Sequence, residues 1–418
     1  MRNKKVPLGI RVALMIFAAT LLAAGTRAVG QESVLYSFTG GNGESSDGKH
    51  PFGDLILDSA GNLYGTAASA GSRWAGVVFE LSPVAGGGWS EKILHTFAKN
   101  GVDGTEPLAG LIFDATGNLY GTTAAGGAYD SGTVFEMRPS SGGSWTERVL
   151  HSFGDGENDG VNPNSGLTLD ASGNLYGGTP NGDDNGGIVF ELTPKSNGIW
   201  EEKVLCSFPK SPISYSAGPV DARLIFDSSG NLYGTTIAGG AYNYGSVFEL
   251  SPTAGGAWTL KLLHSFDFNG TDGFGPEAGV VFDSSGNLYG TTSGGGPGKG
   301  FGTVFELSPA TGGSWTEKVL YRFTWSAGTY PTGTPVFDSA GNLYATTLQG
   351  AAHNGGVVVE LMPATGGGWT ENLLYNFGSG TDGSTPWGGL VLDSQGNLYG
   401  TTLNGGEDGS GTVFEIAQ

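Results

Sequence analysis

The stretch Asp114-Ala-Thr-Gly-Asn-Leu-Tyr-Gly-Thr-Thr123 decides the fold, because its central phrase Gly-Asn-Leu-Tyr recurs along the chain. Successive copies begin 55 to 57 residues apart. The seven copies start at Gly61, Gly117, Gly173, Gly230, Gly286, Gly341 and Gly396. Self-similarity at a fixed period of this length indicates one supersecondary unit that buries its apolar face only by stacking against copies of itself.

Each repeat contains four short runs of β-branched and aromatic residues, bounded by Gly, Pro, Asp or Asn. In the second repeat these runs cover residues 110–114, 118–123, 132–137 and 145–153. The pattern predicts four strands, named a to d in chain order, in one antiparallel sheet. Between strands a and b, the sequence Asp-x-x-Gly-Asn predicts a tight hairpin, in which the Asp side chain caps the turn amides and Gly adopts a left-handed conformation.

Seven sheets of this size predict an all-β fold, a seven-bladed β-propeller of four-stranded antiparallel blades. Residues 33–38 resemble strand d of the other repeats, whereas residues 411–416 resemble strand c. We therefore expect the N-terminal strand to complete blade 7 and close the ring. The propeller is predicted to be a single domain over residues 31–418. Its repeats are expected near residues 52–97, 108–153, 164–208, 221–266, 277–323, 334–377 and 388–416.

Residues 1–30 have the pattern of a secretory signal peptide. Cations near the start are followed by an apolar stretch from Val12 to Ala24 and by small residues up to Gly30, where cleavage is expected. The apolar stretch is too short for a comfortable membrane span. The sequence thus predicts a secreted protein, extracellular or periplasmic, with no membrane span after cleavage and a monomeric state.

The composition narrows the classes of partner. The formal net charge is −20, and removal of residues 1–30 makes it about −25. Nucleic acid is an unlikely partner for so acidic a chain, because its phosphates require Lys and Arg surfaces. Cys206 is the only cysteine, so an internal disulfide is excluded, and its position in strand d predicts a packed, unreactive thiol.

The phrase running from Asp-x-x-Gly-Asn-Leu-Tyr-Gly-Thr-Thr through Gly-Gly to Gly-Thr-Val-Phe-Glu-Leu resembles the GloVer tandem repeat family. The likeness covers essentially all of residues 33–418, with seven copies matching in order. This resemblance implies exported bacterial proteins built of β-propeller-like repeats, often with a variable C-terminal surface anchor. The anchor is not expected here, because the sequence ends on strand c. The family brings no established activity or catalytic residues.

Two residue types recur in most repeats and have a structural interpretation. A tryptophan opens strand d in six repeats, which favours packing between blades over ligand stacking. These tryptophans are Trp89, Trp145, Trp200, Trp258, Trp315 and Trp369.

A glutamate recurs on strand c, at Glu80, Glu136, Glu191, Glu249, Glu306, Glu360 and Glu415. Hairpin register places five of them opposite Lys92, Arg148, Lys203, Lys261 and Lys318, which favours cross-strand ion pairs over a metal-binding ring. Blades 6 and 7 have Asn372 and Ser33 instead.

The loops from strand d to the next strand a often read Asp-Gly-x-x-Pro. Their aspartates are Asp47, Asp103, Asp159, Asp272 and Asp382. The simpler interpretation is a turn capped by Asp and stiffened by Pro. The alternative is an acidic rim around the channel mouth that holds Ca²⁺, although no calcium-loop motif supports it and no other cofactor is predicted. Three strand-d histidines, His95, His151 and His264, lie a blade or more apart and are expected to pack in the core.

Residues that break the repeat are better site candidates, because identical copies alone cannot build one asymmetric site. On the loop-rich face such residues gather on blades 6, 7 and 1, which are neighbours in a closed ring. The predicted ligand-binding residues are His50, Arg73, Trp74, Trp325, Tyr330, His353 and Trp387. Aromatic rings beside hydrogen-bonding groups favour a polysaccharide or a protein partner.

Three functions fit this pattern. The leading hypothesis is an exported, non-catalytic binding or interaction module for polysaccharide or a surface partner. The alternative is an extracellular carbohydrate-active enzyme, a lyase or hydrolase, that uses His50, His353 and Arg73 at the loop-rich mouth. The third is a purely structural envelope protein. No nucleophile, phosphate-loop or metal motif of known spacing is present to identify a reaction.

Overall fold

The computed structural model describes residues 31–41, 47–69, 75–156, 159–182, 186–209, 218–219, 223–296 and 300–418. The predicted signal peptide, Arg73 and Trp74 lie outside these residues. Within the described part, no helix is long and apolar enough to cross a bilayer.

The strands form seven four-stranded antiparallel sheets, each in the order a, b, c, d, which confirms the predicted seven-bladed propeller. Strand a is Ile56–Leu57, Ile112–Phe113, Thr168–Leu169, Ile225–Phe226, Val281–Phe282, Val336–Phe337 and Val391–Leu392. Strand b is Leu63–Ala67, Leu119–Thr123, Leu175–Thr179, Leu232–Thr236, Leu288–Thr292, Leu343–Thr347 and Leu398–Thr402.

The outer two strands are longer. Strand c is Val77–Pro83, Thr133–Pro139, Ile188–Pro194, Ser246–Pro252, Thr303–Pro309, Val357–Pro363 and Thr412–Ala417. Strand d is Trp89–Thr96, Trp145–Ser152, Trp200–Ser207, Trp258–Ser265, Trp315–Arg322, Trp369–Asn376 and, for blade 7, Gln31–Ser37. Short pairs also join the loops, namely Gly104–Thr105 with Ala125–Gly126, Gly160–Val161 with Asn181–Gly182, and Gly273–Phe274 with Gly294–Gly295. Two 3₁₀ turns cover Thr311–Gly313 and Trp325–Ala327.

The ring closes through the two ends of the described chain, as predicted. Gln31–Ser37 pairs antiparallel with Thr412–Ala417, from Gln31 opposite Ala417 to Ser37 opposite Thr412. The Phe38 N–H then donates to the Gly411 carbonyl at 3.0 Å. Phe38 also belongs to a buried cluster that joins blade 7 to blade 1. The first and last strands therefore complete one sheet.

The predicted hairpin between strands a and b is present in every blade. In blade 2, Asp114 Oδ1 accepts hydrogen bonds from the amides of Thr116 and Asn118, and Oδ2 accepts from Asn118 Nδ2 and Tyr120 Oη. Gly117 has φ 87°, the left-handed conformation that the turn requires. Burial alone would raise the pKa of the Asp114 carboxyl, but these hydrogen bonds outweigh it and lower the pKa.

Apolar side chains of neighbouring blades pack against each other. Between blades 1 and 2, the rings of Phe97 and Phe135 contact edge to face at 5.2 Å, and Trp145 contacts Tyr64 at 6.4 Å. The same Trp-to-Tyr contact recurs for the other five strand-d tryptophans, which confirms their packing role. Full burial of such a side chain is worth roughly 1.5 to 3 kcal/mol. The blades are thus held together mainly by these contacts.

The strand-c glutamates have the predicted cross-strand neighbours in all seven blades. Ion pairs form in three of the five expected cases, between Lys92 and Glu80 at 3.7 Å and in the equivalent pairs of blades 3 and 4. In blade 2 the carboxylate of Glu136 pairs instead with Arg138 at 2.9 Å. Lys92 Nζ also donates to the Gly143 carbonyl of the next blade. Because the lysines are about half exposed, each pair contributes little, on the order of 0 to 1 kcal/mol.

Candidate functional site

The central channel is lined by strand a of successive blades. Its main chamber has a volume of about 630 Å³. The lining is mostly apolar, and includes Ile56, Ile112, Phe113, Leu169 and Phe226. Because the innermost strands and the residues just before them line it, the channel axis is where residues of non-adjacent blades meet.

Just before strand a, each blade contributes one residue to a constriction that we call the neck. The neck residues are Asp54, Gly110, Gly166, Arg223, Gly279, Thr334 and Gly389. Four are glycine, and the close approach of backbones explains why. A Cβ atom on Gly110 would lie 2.8 Å from the Asp54 carbonyl oxygen. Two hydrogen bonds tie the neck together: Gly389 N–H donates to Asp54 Oδ1 at 2.5 Å, and Gly279 N–H donates to Thr334 Oγ1 at 3.0 Å.

Arg223 extends from blade 4 across the neck to blade 2. Its Nη2 donates to the Leu111 carbonyl at 3.0 Å. The side chain has room because its neighbour Gly166 has no Cβ, which would stand 3.4 Å from Nε. Arg223 borders both the mouth above and the chamber below, so its guanidinium separates the two. Burial lowers the pKa of Arg223, and the Asp54 carboxylate offsets part of that shift.

The mouth lies above the neck on the loop-rich face. Trp387 and Phe52 contact edge to face across it, with ring centroids 5.6 Å apart. Thr332 Oγ1 donates to the Trp387 carbonyl at 3.0 Å and fixes that loop. On the same measure as the chamber, the depression has a volume of only about 20 Å³. That is room for about one water molecule.

Of the predicted ligand-binding residues that the structure describes, Trp387 alone borders the mouth. His50 and Tyr330 occupy one repeated position before a proline, with φ values of 54° and 58°. The backbone of His50 joins two blades, because its N–H donates to the Ser410 carbonyl and its own carbonyl accepts from Ala68. Tyr330 makes the same two kinds of bond. The backbone at this position therefore links two blades, and it does so with different side chains.

Trp325 and His353 lie away from the mouth. The Trp325 ring packs against Phe301 at 6.1 Å, and its carbonyl accepts from the Ala351 amide at 2.6 Å. His353 is exposed on the loop between strands b and c of blade 6, beside the Gly378 backbone that follows strand d. The predicted set thus does not form a single patch among the described residues.

The five loop aspartates do not line the channel mouth, so the predicted acidic rim is wrong in its position. Asp47, Asp103, Asp159, Asp272 and Asp382 are buried at the outer edge of the propeller, beside strand d. Each caps its own loop, as in Asp159, which accepts from the amides of Gly154, Asp155 and Gly160. The side chain of the strand-d residue before the loop also contacts the carboxylate in every case.

A third group joins these pairs across each seam, the contact zone between the outer strands d of neighbouring blades. A glutamate near the start of strand d in the next blade approaches the aspartate and its histidine or tyrosine partner. It is the third residue of the strand where strand d begins with tryptophan, and Glu32 takes its place in blade 7. The complete sets are His95, Asp103 and Glu147; His151, Asp159 and Glu202; His264, Asp272 and Glu317; Tyr375, Asp382 and Glu32; and Tyr36, Asp47 and Glu91. Burial and the nearby aspartate raise the pKa of each glutamate to about 7.

The seam between blades 3 and 4 lacks this set, because Cys206 and Leu260 occupy the equivalent positions. Burial raises the pKa of the Cys206 thiol to about 11. A thiol that is protonated at neutral pH is a poor nucleophile. The predicted unreactive thiol is consistent with this environment.

Sequence reasoning missed Asp54 and Arg223, although an alignment of the repeats contains a signal for both. The neck position is Gly in four blades, and Asp and Arg appear there once each. Blade 4 also has one residue more between its proline and strand a, from Pro219 to Leu224, than blade 1 has between Pro51 and Leu55. Unequal residues at equivalent positions on the axis therefore mark the site better than loop aromatics do.

Known structures share the fold at low sequence identity. The extracellular domain of a protein described as a hybrid two-component system from B. thetaiotaomicron matches with a TM-score of 0.54 and 11% identity, over 93% of this chain and 43% of that one. An ancestral GH74 enzyme matches with a TM-score of 0.54 and 13% identity, over 88% and 48%. This chain spans less than half of each of those proteins.

The sequence itself identifies the family. No curated protein matches it significantly. The profile of the Gloeobacter/Verrucomicrobia repeat, in contrast, matches residues 23–220, 149–334 and 313–418, which is nearly the whole chain. It is the same family that the repeated phrase resembles. The chain therefore belongs to the Gloeobacter/Verrucomicrobia repeat family.

Proposed function

We propose that this protein is an exported, non-catalytic binding module that holds a polysaccharide, or a surface partner bearing sugars, at the mouth of the propeller. The observation that carries the proposal is the broken symmetry of the axis. A ring of seven similar blades places one carboxylate and one guanidinium at the neck, directly below an aromatic pair. The export step rests on the signal-peptide pattern of residues 1–30.

The chemistry of the mouth suits a sugar. Trp387 offers an apolar ring of the kind on which a pyranose stacks, and Phe52 supports it from the side. Below them, Arg223 has further N–H donors beyond the one used by Leu111, and Asp54 has acceptor capacity beyond the bond from Gly389. One aromatic face with convergent donors and acceptors is the usual composition of a small-molecule site.

The dimensions favour binding on the surface of the mouth. Because the enclosed space admits only about one water molecule, a sugar ring would rest on Trp387 and not enter the channel. Arg223 also blocks passage to the chamber below. A chain end or an exposed residue of a polymer fits this geometry better than a small free metabolite does.

The enzyme alternative receives less support. It relied on His50, His353 and Arg73, and neither histidine borders the mouth. His353 is exposed near the outer edge of blade 6, and the His50 backbone is engaged in joining blades. A site for acid–base catalysis needs groups within hydrogen-bond reach of one bond, and these two do not share a pocket.

Glycan-array binding of the purified protein tests the proposal. We expect Trp387→Ala to weaken binding at least tenfold, because the stacking surface is removed. Trp325→Ala is the matched control, since Trp325 is an exposed tryptophan on the same face but outside the mouth. Melting temperatures of both variants should stay near that of the parent. Equal binding by parent and Trp387→Ala would remove the mouth as the site, and turnover of a polysaccharide would favour the enzyme.

A further inference from the structure

The seams on the two sides of blade 2 each bring one histidine and two carboxylates together. In the first seam, His95 Nε2 lies 3.2 Å from Asp103 Oδ2, and the ligand atoms of these two residues and Glu147 all lie within 4.8 Å of one another. In the second, His151 Nε2 lies 3.6 Å from Asp159 Oδ1, and Glu202 completes a set of the same dimensions. Each set spans two blades.

Several polar atoms inside these two sets have no hydrogen-bond partner. Asp103 is more than nine-tenths buried, and its Oδ1 accepts no hydrogen bond. The Nε2 atom of His151 is also without one, and so is the buried Oε1 atom of the glutamate in all five complete sets. A buried polar atom without a partner costs about 1 to 3 kcal/mol, and more if it is charged. Asp103 Oδ1 and His151 Nε2 are the unpartnered atoms that set the two seams beside blade 2 apart from the other seams.

We propose that each of these two seams binds one divalent transition-metal cation of the Zn²⁺ class, with His95, Asp103 and Glu147 as ligands in one and His151, Asp159 and Glu202 in the other. Each cation satisfies the unpartnered oxygen and nitrogen atoms and links strand d of blade 2 to its neighbour on either side. This inference is independent of the channel mouth and of any sugar binding.

The donor set selects the metal. Zn²⁺ accepts imidazole nitrogen and carboxylate oxygen as ligands in a four-coordinate site, whereas Ca²⁺ takes six to eight oxygen ligands. Donor atoms around a tetrahedral Zn²⁺ lie about 3.3 Å apart. The measured separation of 3.2 to 3.6 Å between imidazole and aspartate atoms is already close to that value. A solvent molecule would supply the fourth ligand.

The electrostatics agree with this geometry. In both seams the two carboxylates approach each other, and one histidine is the third member of the set. A divalent cation removes the repulsion between the carboxylates and holds both ionised.

Other seams of the same chain serve as controls. In the seams that carry Tyr36 or Tyr375, the phenol donates to the aspartate at 2.9 Å in the place of the imidazole, so the described residues of these sets include no histidine ligand. In the seam with His264, the ligand atoms of His264, Asp272 and Glu317 do not all come within 4.8 Å of one another, unlike those of the two proposed sites. We therefore expect neither the tyrosine seams nor the His264 seam to bind the cation.

Metal titration of the untagged protein tests the proposal. After EDTA treatment and dialysis, calorimetry with Zn²⁺ slightly above neutral pH should give two equivalents per chain. Glu147→Gln and Glu202→Gln should each leave one equivalent, and the double variant none. Glu91→Gln, in a tyrosine seam, should keep both. Co²⁺ in place of Zn²⁺ should give visible absorption bands that decrease by half in each single variant.

A second pair of variants guards against loss of folding. His95→Tyr and His151→Tyr reproduce the side chain that other seams of this chain carry, so the fold is expected to tolerate them. Each should also remove one equivalent, and Zn²⁺ should raise the melting temperature of the parent but not of the double tyrosine variant. The proposal is overturned if the parent binds no Zn²⁺, or if the glutamine and tyrosine double variants still bind two equivalents.

Discussion

The neck and the seams are built from the same seven repeats, yet the copies meet differently in the two places. At a seam only two neighbouring blades touch, and nearly identical residues recur from one seam to the next, as His95, Asp103 and Glu147 do. At the neck all blades approach one axis, and unequal residues such as Asp54 and Arg223 face each other. The repeated residues therefore hold neighbouring blades together at the seams, whereas unequal residues can form a single binding site only at the axis.

The largest effect should come from the apolar packing between neighbouring blades. Phe135 is fully buried against Phe97, and Phe135→Ala should lower the free energy of unfolding by about 3 to 5 kcal/mol, because a cavity forms between blades 1 and 2. Phe135→Leu should lose clearly less. Denaturant titration measures both, and a loss below about 1 kcal/mol for the alanine variant would show that this packing does not hold the ring.

A somewhat smaller effect is expected at the neck. Asp54→Ala should cost about 1 to 3 kcal/mol, because the partly buried Arg223 guanidinium loses its nearby carboxylate and the Gly389 amide loses its acceptor. Adding Arg223→Met should restore part of that loss. Denaturant titration of the two single variants and the double variant forms a cycle, and strict additivity would show that the two side chains do not interact.

The hairpins allow a direct test of equivalence between repeats. Asp114→Ala removes five hydrogen bonds in the turn and should cost about 1 to 2 kcal/mol. Asp393→Ala in blade 7, the blade closed by the two ends, should cost a similar amount, since its turn makes the same kinds of bond. Thermal unfolding of both variants measures the costs, and a much larger loss in blade 7 would show that repeats are not interchangeable there.

The smallest effect depends on pH. The pKa of Glu91 is raised from 4.5 to about 7 in the folded protein, because the side chain is buried beside Asp47. Below pH 4.5 both the folded and the unfolded states hold the proton, so Glu91→Gln should change nothing. Between pH 4.5 and about 7 the unfolded state alone releases it, and folding of the parent becomes less favourable.

Glu91→Gln should therefore stabilise the protein increasingly up to about pH 7 and by a constant amount above it. Since the group is partly exposed, the gain should stay below about 1 kcal/mol. Melting temperatures measured across this pH range provide the test. Stabilisation of equal size at acid pH would contradict the assignment.

The fold could be predicted from the sequence because it depends on features repeated seven times. The phrase around Asp114 sets the hairpin, and the termini alone indicate that residues 33–38 complete blade 7. Strand register follows from hairpin length, so the neighbours of the strand-c glutamates were also predictable. Two of the five expected ion pairs do not form: Glu136 pairs with Arg138 of its own strand, and Lys318 donates to the Gly367 carbonyl of the next blade.

The site could not be predicted in the same way. Loop conformation decides where a side chain such as Trp325 or His353 finally lies, and loops of unequal sequence give no periodic signal. The aspartates illustrate the limit: their capping role followed from the turn sequence, but their distance from the axis did not. Arg223 reaches Leu111, more than a hundred residues away, and only the closed ring brings these two residues together.

The pairing of Gln31 with Ala417 has a consequence for how the chain can be cut and joined. Because the two ends lie side by side on the outer edge of one sheet, a short Gly/Ser linker could connect them, and new ends could open in an exposed c-to-d turn such as that around Gly142. Such a circular permutant would have all its blades made of consecutive strands except the one that is reopened. In the permutant, a different blade would be formed from segments that are distant along the chain. The joining of distant segments is slow and dominates the folding time of proteins of high contact order.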